Sequence, residues 1–397
     1  MYRNTGRAEK AREAYCRAGE ILEKLISICP DPNYQSDFIN VCVNQAGLLR
    51  DAGHLQEAKK THERAILLAK KSVTDHPLVP DSQFDLAQQE HELGVTLVRM
   101  GRSSEAEPLF QQSIDSLNKL VKLLPRKQIY KKELGLCWID FGLIQEGPNK
   151  EKEAEGAFAK AACTFDELVR DFPSILEFQA ELASSLYHQA RLSDKKGDRQ
   201  RACRLLKRAI DLQSSVAHKN PSKPEYSRFL CLEYWFLAKL FVDEGKADLA
   251  ESLLQEAKEN CNDLPELLND LAWSIVHEPR ALAGNFDLAL QMARQAVDKN
   301  PNNGNFWNTL GVAQYRMKEW QAAITALEKA RALHSGGDAC DLLFLAMAHW
   351  QLGNQEQARQ WQQKALDALP KTGPINQELM LFQQEAAGLI KPPSPLP

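Results

Sequence analysis

Histidine and cysteine are the residue types here best suited to acid–base, nucleophilic or metal chemistry, yet neither is set at a spacing that performs it. His188 and His349 fall on helical periods with no paired ligand, so each reads as a half-buried or surface ring. The nine cysteines are scattered without a CxxC pair and read as reduced, small core residues rather than staples or zinc ligands. Glu151-Lys152-Glu153 and Asp194-Lys195-Lys196 read as solvated helix ends. A glycine-rich phosphate loop, an HRD catalytic loop, an HExxH zinc helix and a GxSxG nucleophile elbow are all missing from the sequence. The expectation is therefore no catalytic residue, no cofactor and no metal. What remains is binding by aromatic and cationic side chains, and that depends on how helices present them.

At 397 residues the chain exceeds the ~250–300 residues at which a single core stops growing, which implies several domains or a quasi-linear repeat array. It is 44% hydrophobic and 26% charged, ordinary for a soluble protein, and its net charge of −4 argues against a broad nucleic-acid surface. No apolar run approaches the ~20 residues of a membrane span, and the start lacks an apolar signal region. A cytoplasmic location follows as the expectation.

The elements that must position any binding residue are written as a repeat. The set Ala58/Ala65/Pro77 recurs as Ala106/Ser113/Pro125, Ala154/Ala161/Pro173 and Ala202/Ala209/Pro221, each set 48 residues after the last. A small residue stands 12 before each, at Ala46, Gly94, Gly142 and Ala190, and Ala238 precedes Ala250/Ala257 in the same way. Turn glycines Gly53, Gly101, Gly197 and Gly245 keep the beat, with Gly147-Pro148-Asn149 in the third unit. Each unit predicts an antiparallel hairpin of helix A and helix B. The second helix B carries one stripe from Ala106 through Phe110, Ile114 and Leu117 to Leu124, about 20 residues or ~30 Å.

The ends depart from this rhythm. Ala11, Ala18 and Pro30 mark residues 7–28 as a helix B whose partner helix A would precede Met1, so the chain is expected to be a piece of a longer protein; a frayed end at Arg3–Arg7 is the other reading. After Ala257 the spacings shorten at Pro265, Leu268, Leu271 and Ala272. Extra residues enter around Pro279 and Gly284, before Ala289, Ala296 and Pro301. A polyproline-like tail follows Lys391, after a short helix of about 375–389.

Within Phe306–Leu333, Trp307, Leu310, Gly311, Ala323, Leu327 and Ala330 resemble the tetratricopeptide repeat, a helix–turn–helix of about 34 residues. Gln314 and Ser335 replace its usual Tyr and Pro. The resemblance implies an all-α, right-handed α-solenoid: a half-hairpin over 1–30, five long hairpins over 31–265, three standard repeats over 266–371, then a short helix and tail over 372–397. A further copy uses Leu345, Ala346, Ala358, Ala365 and Pro370. In such arrays helix A lines a concave groove that takes a peptide or protein partner. Carried onto this sequence, that groove holds His91, Arg99, Tyr187, Arg191, Trp235 and Lys239 in the long units. In the short units it holds Asn269, Trp273, Asn305, Asn308, Tyr315, Arg316, Met347 and Trp350. Tyr315 and Trp350 are expected as a partly exposed aromatic wall, with inward packing as the alternative. Leu343 and Trp273 stand where a carboxylate clamp would need polar groups, so chaperone-tail binding is not implied.

The phrases Asn269–Trp273, Trp307–Arg316 and Phe344–Gly353 also resemble the repeat region that follows the kinase domain in large bacterial serine/threonine protein kinases. That resemblance implies a sensing or scaffolding half of a signalling kinase and no kinase activity in this chain. The partner class expected is a protein or peptide, with no nucleic acid and no membrane span.

Overall fold

The computed structural model describes residues 8–29, 31–147, 149–261, 264–277, 285–333, 339–369 and 377–391. The chain opening Arg3–Arg7, the loop residues Pro30, Pro148, Pro279, Gly284, Ser335 and Pro370, and the tail after Lys391 lie outside them. The described residues form eighteen α-helices and no strand, as expected of an all-α solenoid of hairpins.

Two compact units divide the chain, Met1–Leu205 and Leu206–Pro397. The first holds α1 (Ala8–Ile28), α2 (Pro32–Asp51), α3 (Leu55–Asp75), α4 (Pro80–Arg99), α5 (Ser103–Leu123), α6 (Gln128–Ile144), α7 (Glu151–Asp171) and α8 (Leu176–Lys195). The division falls inside α9 (Arg199–Lys219). The second unit continues with α10 (Pro224–Asp243), α11 (Ala247–Cys261), α12 (Pro265–Val276), α13 (Phe286–Lys299) and α14 (Gly304–Arg316). It ends with α15 (Trp320–Leu333), α16 (Ala339–Gln351), α17 (Gln355–Ala368) and α18 (Gln377–Leu389).

Local sequence sets the boundaries. Pro32, Pro80, Pro224 and Pro265 sit in the first helical positions, where a missing N–H costs nothing. The side chains of Asp31 and Asn303 accept from the N–H of Asn33 and Asn305, capping α2 and α14. At the turn between helix A and helix B, Gly53 and Gly101 have φ of 80° and 74°, and Asn149 takes the same place at 68°. Only glycine, or asparagine with its short polar side chain, visits that region readily.

Helix length follows the period. α3, α5 and α7 each run 21 residues, whereas α13, α15 and α17 run 14. The seven-residue difference is about two turns, so the apolar face continues without rotating away. In α5, Ala106, Phe110, Ser113, Ile114, Leu117 and Leu120 are buried along one stripe, while Leu124 is the exposed cap residue. The hairpins close on small residues. A Cβ built on Gly94 would lie 2.5 Å from Phe110, one on Gly142 2.7 Å from Phe158, and one on Gly311 2.6 Å from Leu327. Each glycine therefore admits a large side chain sixteen positions later.

One expectation is corrected. Cys231 is disulfide-bonded, so the reduced state does not extend to every cysteine; Cys16, Cys29, Cys42, Cys137, Cys163, Cys203 and Cys340 are free. The apolar residues of α1 are only partly packed. Leu22 and Ile26 pack on Phe38, Cys42 and Ala65, but Ala14 and Ile21 face solvent.

Candidate partner-binding faces

In the first unit the helix A face is more polar than the sequence reading implied. Asp37, Asp85, Glu133 and Glu181 repeat at intervals of 48 residues on α2, α4, α6 and α8, an acidic ladder on the same beat as the small residues. Burial, with the charges of Asp81 and Asp37 nearby, pushes the Asp85 carboxyl up to about 6. Burial, with Glu177 and Asp140 nearby, pushes Glu181 up to about 7. The signal was in the sequence, in the period itself.

His91 is buried rather than displayed, and this corrects its assignment as an accessible groove residue. Its Nδ1 lies 2.8 Å from Glu133 Oε1 and its Nε2 2.8 Å from Asp140 Oδ2. Burial disfavours the charged ring, but Cys137 and the hydrogen bonds to Asp140 and Glu133 outweigh it and raise the His91 pKa well above its ordinary value. His91, Glu133 and Cys137 bring ligand-type atoms within 4.8 Å of one another. Both ring nitrogens are already held by carboxylates, and the Cys137 Sγ lies 3.2 Å from Ser113 Oγ. The group is a closed hydrogen-bonded network, and no open coordination position is present in it.

Asp140-Phe141-Gly142 spells the DFG triplet of protein kinases. Here it lies inside α6, with Asp140 on His91 and Gly142 under Phe158, so its role is packing.

The remaining groove residues of the first unit stay near the surface. Arg99 is exposed, 3.5 Å from Asp51. Arg191 is half-buried and 3.3 Å from Glu146, which His188 also approaches at 3.7 Å. Tyr187 is half-buried, edge-on to His188.

In the second unit Trp235 donates to the Ser274 carbonyl at 3.3 Å and lies under the Lys239 ammonium. Asn305 is exposed; Asn308 donates to Asp341 Oδ1 at 2.6 Å. Met347 is fully buried and Tyr315 is 6% exposed, enclosed by Trp320, Phe344 and Arg316. Tyr315 thus takes the inward-packed alternative rather than the partly exposed wall, and Met347 is not an accessible groove residue. Trp350 is half-buried with Arg359 over its ring.

α18 covers part of this face. Trp273 on α12 donates from Nε1 to Glu378 Oε1 at 2.8 Å. Arg316 on α14 holds Glu385 with both terminal nitrogens and donates from Nε to the Val276 carbonyl at 3.1 Å. Phe382 packs edge-on against Trp273 and against Phe344 of α16. Two of the helix A residues assigned to the groove, Trp273 and Arg316, meet around a helix of their own chain. The sequence reading missed this role for α18.

Residues 303–371 match the tetratricopeptide repeat family. No curated protein matches the chain in sequence. The crystal structure of BtubC (BKLC) from P. vanneervenii is similar with a TM-score of 0.51 at 18% identity, over 64% of this chain and 90% of that one. A tetratricopeptide repeat protein from Parabacteroides merdae gives a TM-score of 0.37 at 13% identity, over 76% and 98%. TTC0263, a tetratricopeptide repeat protein of Thermus thermophilus, gives 0.32 at 17%, over 59% and 98%. The chain is thus an all-α solenoid that carries tetratricopeptide repeats within residues 303–371.

Proposed function

We propose that the chain is a non-catalytic scaffold that binds protein partners on its helix A faces. The observation that carries this reading is α18, a helical segment laid across α12, α14 and α16 and held by Trp273, Arg316 and Phe344. A face that accepts one helix by a buried cation and aromatic edges has the chemistry to accept another. In the first unit the reading assigns contact to Arg99, Tyr187 and Arg191, with Trp235, Lys239, Asn305 and Asn308 serving the second; Asn269 is buried. The net charge of −4 favours protein over nucleic acid. Among the described residues no helix is long and apolar enough to cross a membrane.

A place beside a signalling kinase is the finer form of this proposal. Its support is the resemblance of the Asn269–Trp273, Trp307–Arg316 and Phe344–Gly353 phrases, which also supply the three side chains that hold α18.

The test is affinity capture with the intact chain, read by mass spectrometry with and without nuclease. Wild type is compared with Arg99→Glu/Arg191→Glu. Proteins retained by wild type and lost by the charge-reversed variant support the scaffold. Retention that nuclease abolishes, or that ignores the substitutions, rejects it.

A further inference from the structure

We infer that the helix A face of α12, α14 and α16 is a docking site for an acidic amphipathic helix of pattern Glu-x3-Phe-x2-Glu, and that α18 occupies it as an internal stand-in. The inference rests on the scaffold reading and names the partner chemistry for one face of it.

The first argument is Arg316. Its side chain is 6% exposed, its Nε is committed to the Val276 carbonyl, and its two terminal nitrogens form a fork on Glu385. Phe344 and Tyr315 lie beneath the guanidinium, at 5.2 and 5.7 Å. The Val276 carbonyl and the two rings orient the guanidinium independently of α18, and its planar fork matches a carboxylate. A helix without an acid at this register would leave a buried charge unpaired, which is a strong selection against it.

The second argument is spacing. Glu378, Phe382 and Glu385 fall at i, i+4 and i+7, so one face of α18 meets Trp273, Phe344 and Arg316 in turn. The hydrogen bonds from Trp273 and Arg316 span 105 and 69 residues of sequence. α18 rests on α16 of the last hairpin, and its side chains also reach back to Trp273 on α12 and Arg316 on α14.

The third argument is that α18 fills the face incompletely. A cavity of about 350 Å³ remains, lined by Asn269, Trp273, Asn305, Asn308, Glu378 and Phe382. Asn269 is 9% exposed and its Oδ1 has no hydrogen-bond partner. Buried amide oxygens seldom stay unpaired, so this corner suits a ligand that brings a donor and more bulk than α18 does. An intramolecular helix holds its place through high effective concentration even with an imperfect fit, and a better helix in trans must overcome that advantage.

The experiment uses the full chain and a fluorescein-labelled synthetic peptide with the sequence of residues 375–391. Glu385→Arg in the chain sets Arg against Arg316 and opens the face. Fluorescence anisotropy is expected to show at least tenfold tighter peptide binding to this variant than to wild type. Arg316→Glu is expected to reject the same peptide and to accept one carrying Arg at the Glu385 position. A folded Glu385→Arg chain that binds the peptide no better than wild type overturns the inference. Binding that ignores Arg316→Glu does so too. Self-association of the opened chain in place of peptide binding overturns it in favour of a second copy.

If Glu385→Arg does not fold, hydrogen exchange on wild type decides. Exchange over 377–390 at least tenfold faster than over 304–316, and faster again with excess peptide, supports the stand-in; equal protection overturns it. Partners lost on Arg99→Glu/Arg191→Glu would be unaffected by any of these outcomes, so the scaffold reading stands or falls separately.

Discussion

The ring of Phe110 occupies the space where residue 94 would carry a Cβ: an ideal Cβ on Gly94 comes within 2.5 Å of Cε1 and 2.9 Å of Cδ1. Phe110 is fully buried, so its ring cannot move aside into solvent. The same pair recurs 48 residues later as Gly142 and Phe158, at 2.7 Å. In these two long units the close approach of helix A to helix B is a glycine under a phenylalanine, and in the others an alanine (Ala46, Ala190, Ala238) holds the glycine's place.

Gly94→Ala should force α4 and α5 apart, a strain of ~1–3 kcal/mol. Gly94→Leu should cost more. The measurement is a urea or thermal melt of the first unit's signal in the full chain. A Gly94→Ala variant with an unchanged midpoint would show that the hairpin has slack the geometry does not reveal.

His91 ties α4 to α6 through two carboxylates, and its folded pKa is raised. A raised pKa means the stabilisation is complete below the ordinary value of 6.5 and is lost as pH rises through the folded value. His91→Gln leaves Glu133, 4% exposed, without its cation and should cost ~3–5 kcal/mol at neutral pH. Urea midpoints at neutral pH and at pH values well above it test both parts. The gap between wild type and variant should narrow with rising pH, and a constant gap would rule out a charged His91.

Glu233 on α10 is 2% exposed, one of its carboxylate oxygens has no hydrogen-bond partner, and burial pushes its pKa up to about 8. The proton is held more tightly in the folded chain than in the unfolded one. The associated stability is thus present below the ordinary value of 4.5 and lost between there and about 8. Glu233→Gln mimics the protonated form and should be more stable than wild type above pH 8, by at most ~5 kcal/mol, and level with it near pH 4.5. An advantage that does not grow with pH would mean that the carboxyl ionises without penalty.

The hairpin rhythm was legible because small residues and turn glycines are set by sterics that tolerate few alternatives. Ala58, Gly94 and Gly101 carry their reasons in their size. The same rhythm marked the acidic ladder of Asp37, Asp85, Glu133 and Glu181, but an acid on a helix is usually a solvated one, so the beat went unread there. The role of α18 was not legible at all. Glu378, Phe382 and Glu385 define a face, but nothing local says which of the chain's other faces it meets, and its contacts span up to 105 residues. The burial of Tyr315 comes from Trp320 on α15 and Phe344 on α16, contacts between helices that its own position in the repeat does not spell out.

Tyr315 and Trp350 share a repeat position, yet the structure separates them. Tyr315 is 6% exposed, with Trp320 at 5.1 Å, Phe344 at 5.3 Å and the Arg316 guanidinium over its ring, and burial pushes its hydroxyl up to about 12. Trp350 is half-buried and meets Arg359. Tyr315→Ala removes a core ring and should cost ~3–5 kcal/mol. Trp350→Ala removes less buried surface and should cost ~1–2 kcal/mol. Tyr315→Phe keeps the ring and should melt close to wild type. Circular dichroism melts of the three variants give the order directly. If Tyr315→Ala melted with wild type, the ring would belong to an open binding wall after all, and α18 could not lie where it does, because Phe344 bridges the two, edge-on to Tyr315 and to Phe382.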